Sequence, residues 1–311
     1  MVVDILTATD VTKQYGATTV LDHLNFAIHQ GEILGVLGKN GAGKTTLIKI
    51  LLNLIDKSSG TVVYHFANGD VPYGSRALYR HASAVLESVD NLYDYLTGWQ
   101  NIQYFTELNG QNFKAVAPTA TNLLTRFDLL ADANKRVGHY SRGMKQKLAI
   151  VCCLLADTEL IFLDEPTLGL DFMASHTLIT QIKAINQELG KTIVLTSHQA
   201  DVLAQLVDRI LLIDQHQIRY LGTYADFRQG YVAFPFYIEF ALTAPPTPPA
   251  NGRVAAADPA SWRAEFTDSA SQIAYLKLLI QADAQITQVG QTETSLDDIL
   301  QSIFTESEGK S

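Results

Sequence analysis

The sequence predicts an α/β fold, and three observations predict it. The apolar run Ile33-Leu34-Gly35-Val36-Leu37 leads into Gly38-Lys39-Asn40-Gly41-Ala42-Gly43-Lys44-Thr45-Thr46, and a second apolar run follows at residues 47–54. That is strand, glycine-rich loop, helix, and the placing of Gly38, Gly43, Lys44 and Thr45 fits the P-loop pattern. Next, Leu160-Ile161-Phe162-Leu163 ends in Asp164-Glu165, which reads as a buried parallel strand with two acids at its carboxyl end. Finally, residues 3–30 alternate as strands ahead of the loop, with a turn at Gly16-Ala17. Together these predict a P-loop NTPase core with an antiparallel β subdomain and a helical insertion. A small α+β carboxyl-terminal appendage completes the chain.

The loop's residue types follow from phosphate chemistry. Several backbone N–H groups must point at one spot, and side chains would block the approach. Glycines at 38, 41 and 43 remove them and permit positive φ. A helix starting near Lys44 adds its positive dipole end. The Lys44 amine suits the β- and γ-phosphates, and the Thr45 hydroxyl suits Mg²⁺. The expected cradle is Gly38, Asn40, Gly41, Ala42, Gly43, Lys44, Thr45 and Thr46, which implies a nucleoside triphosphate.

Bulk properties narrow the class. The chain has 311 residues, 47% hydrophobic and 18% charged, an ordinary globular composition that predicts one full domain plus a smaller one. A net charge of −9 argues against a long basic face for nucleic acid. The only cysteines, Cys152 and Cys153, are adjacent within an apolar run, as buried helix cysteines of a reducing compartment are. Apolar stretches are too short to span a bilayer, and the first residues lack the pattern of a signal peptide. A cytoplasmic chain is expected, touching a membrane only through a partner.

Taken in order, strand patterns at residues 3–30 give way to the loop and its helix, then to a strand at 61–64. Tyr15 beside Gly16 is either an exposed ring able to stack on a purine or a half-buried strand tyrosine. Residues 82–86 form an apolar strand ending at Glu87. Residues 88–140 read as a mostly helical insertion that opens on the aromatic stretch 92–99. Ser141 is a plausible N-cap for the apolar helix that follows, and a helix start beside glycine is again an anion site. Asp164 suits Mg²⁺, and Glu165, one residue on, can face an attacking water. A helix is expected at about 172–189, then a strand at 192–196 that ends in Ser197-His198, and a hairpin from 210–214 to 217–222. His198, at the end of a core strand, is a candidate phosphate sensor. Beyond residue 230 composition shifts. Proline-rich 244–249 is a linker or exposed loop among strands near 236–240, 262–266 and 285–289. Helices are expected at 269–282, through Ile273, Leu276, Leu279 and Ile280, and at 295–304.

These motifs, in this order, resemble the ATP-binding subunit of ABC transporters over about residues 3–230. The family's signature segment is matched by Tyr140-Ser141-Arg142-Gly143-Met144, the loop after the acidic strand by residues 168–171, and the switch histidine by His198. The resemblance implies ATP and Mg²⁺ as ligands, Tyr15 stacked on adenine, and a head-to-tail homodimer, or a pair with a paralogue. Each nucleotide then lies between one P-loop and the partner copy's Ser141 and Gly143, with Asp171 counted toward the same site. It implies Thr45, Asp164 and Glu87 around the metal, Glu165 as the base, and Lys44, His198 and Glu87 assisting turnover. It also implies a separate membrane permease, which would hold the chain at the inner face of the plasma membrane, and no nucleic-acid partner. Two departures stand out: Glu87 where the family usually has glutamine, and Arg142 and Met144 within the signature segment. Arg142 must point away from the nucleotide or meet it by charge. The appendage resembles that of exporter-type subunits, which gives domains 1–230, with a helical subdomain at about 88–140, and 231–311. Two other classes fit less well: a soluble ABC ATPase acting on ribosomes or DNA, and a weakly hydrolysing regulatory module.

Overall fold

A computed structural model describes residues 3–87, 92–197, 203, 206–231, 235–258, 261–291, 296, 299–301, 303 and 304. The chain divides into two compact units, residues 1–224 and 225–311.

The first unit opens with a long hairpin, β1 (Asp4–Tyr15) and β2 (Thr18–His29). Tyr15 pairs with Thr18 across a turn in which Gly16 takes φ 59°, a left-handed conformation that glycine adopts without cost. Then come β3 (Ile33–Leu37), α1 (Lys44–Leu51), β4 (Ser59–Phe66), β5 (Gly69–Pro72) and β6 (Ala82–Val85). Three helices follow, α2 (Gly98–Leu108), α3 (Phe113–Arg126) and α4 (Arg142–Leu155). The unit ends with β7 (Leu160–Leu163), α5 (Phe172–Leu189), β8 (Thr192–Thr196), β9 (Arg209–Asp214) and β10 (Gln217–Thr223), and α6 (Tyr224–Tyr231) leads onward.

Two sheets result. One is antiparallel, ordered β2-β1-β4-β5. The other is ordered β10-β9-β3-β8-β7-β6, parallel except where β10 pairs antiparallel with β9. Every residue of β3, β7 and β8 is buried, so these strands read as unbroken apolar runs rather than alternating ones. Helix α1 lies in the core that joins the sheets. Its Leu47, Ile48, Ile50 and Leu51 cluster with Ile5, Leu6 and Val62 of one sheet and with Leu34, Val36 and Phe162 of the other. The buried Tyr64 hydroxyl donates to the Leu51 carbonyl at 2.7 Å, satisfying an orphan acceptor at the helix end. The P-loop is thereby set on a helix whose body is fixed by both sheets.

The expected insertion is helical, as the apolar spacing suggested. A Thr97–Gln100 capping box starts α2, and Leu123 and Leu124 of α3 are buried. Buried Asn101 accepts from the Tyr93 N–H at 2.8 Å and donates back to the Tyr93 carbonyl at 3.1 Å, which fixes the loop ahead of α2.

The second unit has its own sheet, ordered β12-β13-β11-β14, from β11 (Phe236–Ala241), β12 (Gly252–Asp258), β13 (Ser261–Phe266) and β14 (Gln285–Gln291). Helix α7 (Ser269–Gln281) packs Tyr275 and Leu279 on Ile238, Phe240, Ala264 and Phe266. The sequence pattern found half of this helix's inner face, since Leu279 is buried and Leu276 packs on the same core. Ile273 and Ile280 are 51% and 62% exposed, whereas Gln272 and Tyr275 are buried. Polar partners decide the rotation. The Gln272 amide donates to the Tyr237 and Gly290 carbonyls, each at 2.9 Å, and the Tyr275 hydroxyl donates to the Pro246 carbonyl at 2.6 Å. Strands β5 and β12 were not foreseen; both are edge strands, and β5 buries only Val71. Of the expected 295–304 helix, residues 296, 299–301, 303 and 304 are described and helical, with Leu296, Ile299, Leu300 and Ile303 buried.

Candidate nucleotide site

Parallel pairing puts the carboxyl ends of β3, β8 and β7 side by side. The loop after β3 enters α1 through Gly43, whose φ is 102°. No side chain caps this helix, so its first N–H groups are not taken up by a capping side chain. A Cβ at Gly43 would sit 2.6 Å from Leu21 Cδ2 and 2.9 Å from the Val20 carbonyl oxygen, so only glycine fits. At Gly41, with φ 80°, a Cβ would meet nothing within 4 Å, which is the open space a phosphate needs.

Lys44 is 6% exposed, and its Nζ donates to the carbonyls of Gly38 (2.7 Å) and Lys39 (3.1 Å), spanning the loop. Burial pushes its pKa below the ordinary lysine value, while Glu165 and then Asp164 push it back up. Asp164 is 1% exposed at the end of β7. Its Oδ1 accepts from the Thr196 hydroxyl at 2.6 Å and from the Thr45 hydroxyl at 3.4 Å. Its Oδ2 is buried without a hydrogen-bond partner. A bare carboxylate oxygen beside a hydroxyl is a donor set for a hard divalent cation. Among the described residues no cluster of three or more His, Cys, Asp or Glu forms a protein cage for a metal. The bare Asp164 oxygen and the Thr45 hydroxyl fit Mg²⁺, which takes one or two protein oxygens and fills its remaining positions with phosphate and water.

Thr196, at the end of β8, also accepts from the Glu165 N–H at 2.9 Å. One hydroxyl thus positions both acids, a role the sequence reading had not assigned. Glu165 is 6% exposed and held at φ 53°, a conformation that β-carbon sterics disfavour and that functional sites tolerate. Asn40, Gly41, Gly43, Lys44, Thr45, Thr46, Glu87 and Glu165 line one open cavity of about 330 Å³, with Val20 at its wall. Beside it, Thr45, Lys49, Glu87, Asp164 and Arg142 line a groove of about 370 Å³.

The remaining expected residues lie elsewhere. Tyr15 is 52% exposed at the end of β1, so of its two readings the exposed ring holds. Ser141 caps α4, accepting from the Met144 N–H at 3.2 Å, as its position suggested. Asp171 caps α5, accepting from the Ala174 N–H at 2.8 Å. The side chain of Arg142 crosses Gly169, where a Cβ would come within 2.9 Å of its Cδ and Nε. In return Leu170 covers Gly143, where a Cβ would meet Cδ2 at 2.7 Å. Ser141 and Gly143 do not line the phosphate cavity of their own chain. His198 lies outside the described residues.

Comparison with known proteins agrees with this geometry. Residues 21–168 match the family model described as ABC transporter. The chain is 31% identical over 222 residues to the ABC transporter ATP-binding protein NatA of Bacillus subtilis, covering 70% of this chain and 89% of that one. It is 36% identical over 209 residues to the Nod factor export ATP-binding protein I of Burkholderia orbicola, covering 66% of each. A solved structure of an ATP-binding subunit of an ABC transporter superposes with a TM-score of 0.65 at 28% identity, covering 73% of this chain and 93% of that one. The strand ends, the phosphate loop and the relatives lead to one conclusion: this chain belongs to the ABC transporter family, as one of its ATP-binding, ATP-hydrolysing subunits.

Proposed function

We propose that the protein binds MgATP at the 330 Å³ cavity and uses its hydrolysis to drive export through a separate membrane permease. The observation that carries the reading is the union, in one cavity, of the phosphate loop with Glu87 and Glu165, beside an Asp164 oxygen left bare. Export is supported by the relative named for Nod factor export. Among the described residues no helix is long and apolar enough to cross a membrane, so passage through a bilayer is assigned to a partner. The chain then works at the cytoplasmic face of the membrane.

The loop N–H groups and Lys44 bind the β- and γ-phosphates, and the exposed Tyr15 ring takes the adenine. Thr45, Asp164 and Glu87 would hold Mg²⁺, which when bound would supply positive charge to the triphosphate. Glu165 orients and deprotonates the attacking water. Its N–H is tied to Thr196, so its backbone is positioned before nucleotide arrives. Lys44, with His198, offsets charge on the transferring phosphoryl group. Ser141 and Gly143, which do not line their own chain's cavity, complete the site of a second copy. ATP is then the glue of a head-to-tail dimer that hydrolysis releases.

The permease docks on the helical segment. Tyr95 and Leu108 are each 68% exposed, and Leu92, Phe105, Asn109 and Cys152 of the same region line a groove. Of the aromatic stretch, Leu92 is buried and Tyr93 half-buried, so Tyr95 is the residue available for contact.

Replacing Glu165 with Gln tests the mechanism. The variant is expected to bind ATP, to lose on the order of 10²- to 10⁴-fold in kcat, and to elute as a dimer with ATP. Turnover near that of the parent would remove Glu165 as the base.

A further inference from the structure

Lys13 and Tyr15 lie two apart on β1 and so share a face of the strand. The Lys13 ammonium sits 4.5 Å from the centre of the Tyr15 ring, within cation–π range. The same Nζ donates to the Asp56 carbonyl at 2.5 Å, in the turn just past α1. Two further bonds tie this end of β1 to that turn: Ser58 N–H to the Thr12 carbonyl at 2.8 Å, and Gln14 N–H to Ser58 Oγ at 2.9 Å. The ring is thus an exposed side chain held from behind by a cation. That cation is in turn anchored to the turn that follows the helix beginning at the phosphate loop.

We propose that Lys13 is a positioning residue for adenine. It holds the Tyr15 ring in one orientation, keeps one ring face occupied, and presents the other face to the base. This rests on the reading that Tyr15 stacks on adenine. The physical grounds are twofold. An exposed tyrosine immobilised before binding forfeits less rotamer freedom when the nucleotide arrives. A cation drawing π-density to one face makes the opposite face less negative, which favours stacking of a second π-system. Lys13 touches no phosphate in this scheme, so its effect depends on the base.

The test compares Lys13→Met, Lys13→Arg, Tyr15→Ala and the double variant Lys13→Met/Tyr15→Ala, in ATPase assays with ATP and with inorganic tripolyphosphate as a competitor that lacks a base. Lys13→Met is expected to raise KM for ATP about threefold to tenfold with kcat unchanged. Arginine also stacks on aromatic faces, so Lys13→Arg stays within about twofold of the parent. Tripolyphosphate inhibits Lys13→Met as well as it inhibits the parent. In the Tyr15→Ala background Lys13→Met adds nothing. An unchanged KM in Lys13→Met, an equal loss in the Tyr15→Ala background, or weakened tripolyphosphate inhibition overturns the inference. If Tyr15→Ala binds ATP as the parent does, adenine stacking itself fails and Lys13's role goes with it. If Tyr15→Ala is weak and Lys13→Met is normal, only the role of Lys13 fails.

Discussion

At the scale of single residues, the chemistry converges on Thr196. Its hydroxyl donates to Asp164 Oδ1 and accepts from the Glu165 N–H, and it is fully buried. Thr196→Val keeps the shape and removes both bonds. Asp164 would then be a buried carboxylate stripped of its shorter hydrogen bond. A stability loss of about 1–3 kcal/mol is expected. In a unit of this size that lowers Tm by about 2–4 °C per kcal/mol. Thermal unfolding and an Mg²⁺ titration of the ATPase check it, the variant needing more Mg²⁺ for half-maximal rate. A Tm and a titration both equal to those of the parent would contradict the role. Glu87 is the second residue-scale question. It is exposed, and it lines the phosphate cavity as well as the groove holding Asp164 and Arg142. A carboxylate there adds negative charge beside a triphosphate. Glu87→Gln removes that charge and is expected to lower KM for ATP by about twofold to fivefold, less so in high salt. Glutamine keeps an oxygen for Mg²⁺, so a KM that rises instead would show that the metal needs the Glu87 charge and not only its oxygen.

At the scale of elements, three helices begin near the site and are finished differently. α1 has no side-chain cap, which leaves its N-terminal donors for phosphate. α4 and α5 are capped by Ser141 and Asp171. A capping carboxylate contributes about 1 kcal/mol, so Asp171→Ala should lower Tm by about 2–4 °C while Asp171→Asn restores it. If Asp171 also serves the nucleotide of a second copy, Asp171→Asn still slows the ATPase despite the restored Tm. Equal ATPase rates in Asp171→Asn and the parent would leave the residue a cap alone. The α4 and α5 starts also meet each other, Arg142 against Gly169 and Leu170 against Gly143. The bulk of Arg142 is therefore taken up by a glycine opposite, in a loop held at φ 79°.

At the scale of the whole molecule, each unit has its own buried core, one built around α1 and one around Tyr275. A chain shortened to residues 1–231 is expected to bind ATP within about twofold of the full-length protein, since the cavity is lined entirely from residues before 166. Equilibrium binding of a fluorescent ATP analogue measures this. A shortened chain that folds, by circular dichroism, yet has lost binding would show the appendage to be part of the site. The proposed docking to a permease belongs to this scale too. Tyr95→Glu should abolish co-purification with the membrane subunit and leave ATP binding intact. Retained co-purification would move the docking surface away from the helical segment.

The phosphate loop, the acidic strand end, the strand–helix order and the Ser141 cap were legible in the sequence because each is local. The spacing of glycines, an apolar run or a polar cap residue acts within a few positions of itself. The inner face of α7 was only half legible: Leu276 and Leu279 pack inward as their spacing suggests, but Gln272 is buried by acceptors on β11 and β14 that are distant in the chain. Thr196 was not legible either, because nothing local marks a strand threonine that reaches the neighbouring strand's acids. Edge strands β5 and β12 carry too little buried pattern to announce themselves. The sequence by itself determined that this chain carries a phosphate-loop pattern and which family it resembles. Only the tertiary structure decided that Thr196 sets both acids, that Asp164 keeps one oxygen bare, that Arg142 lies on Gly169, and that Lys13 backs Tyr15. Each of these is a contact between strands, helices or turns whose meeting is fixed by packing rather than by order along the chain.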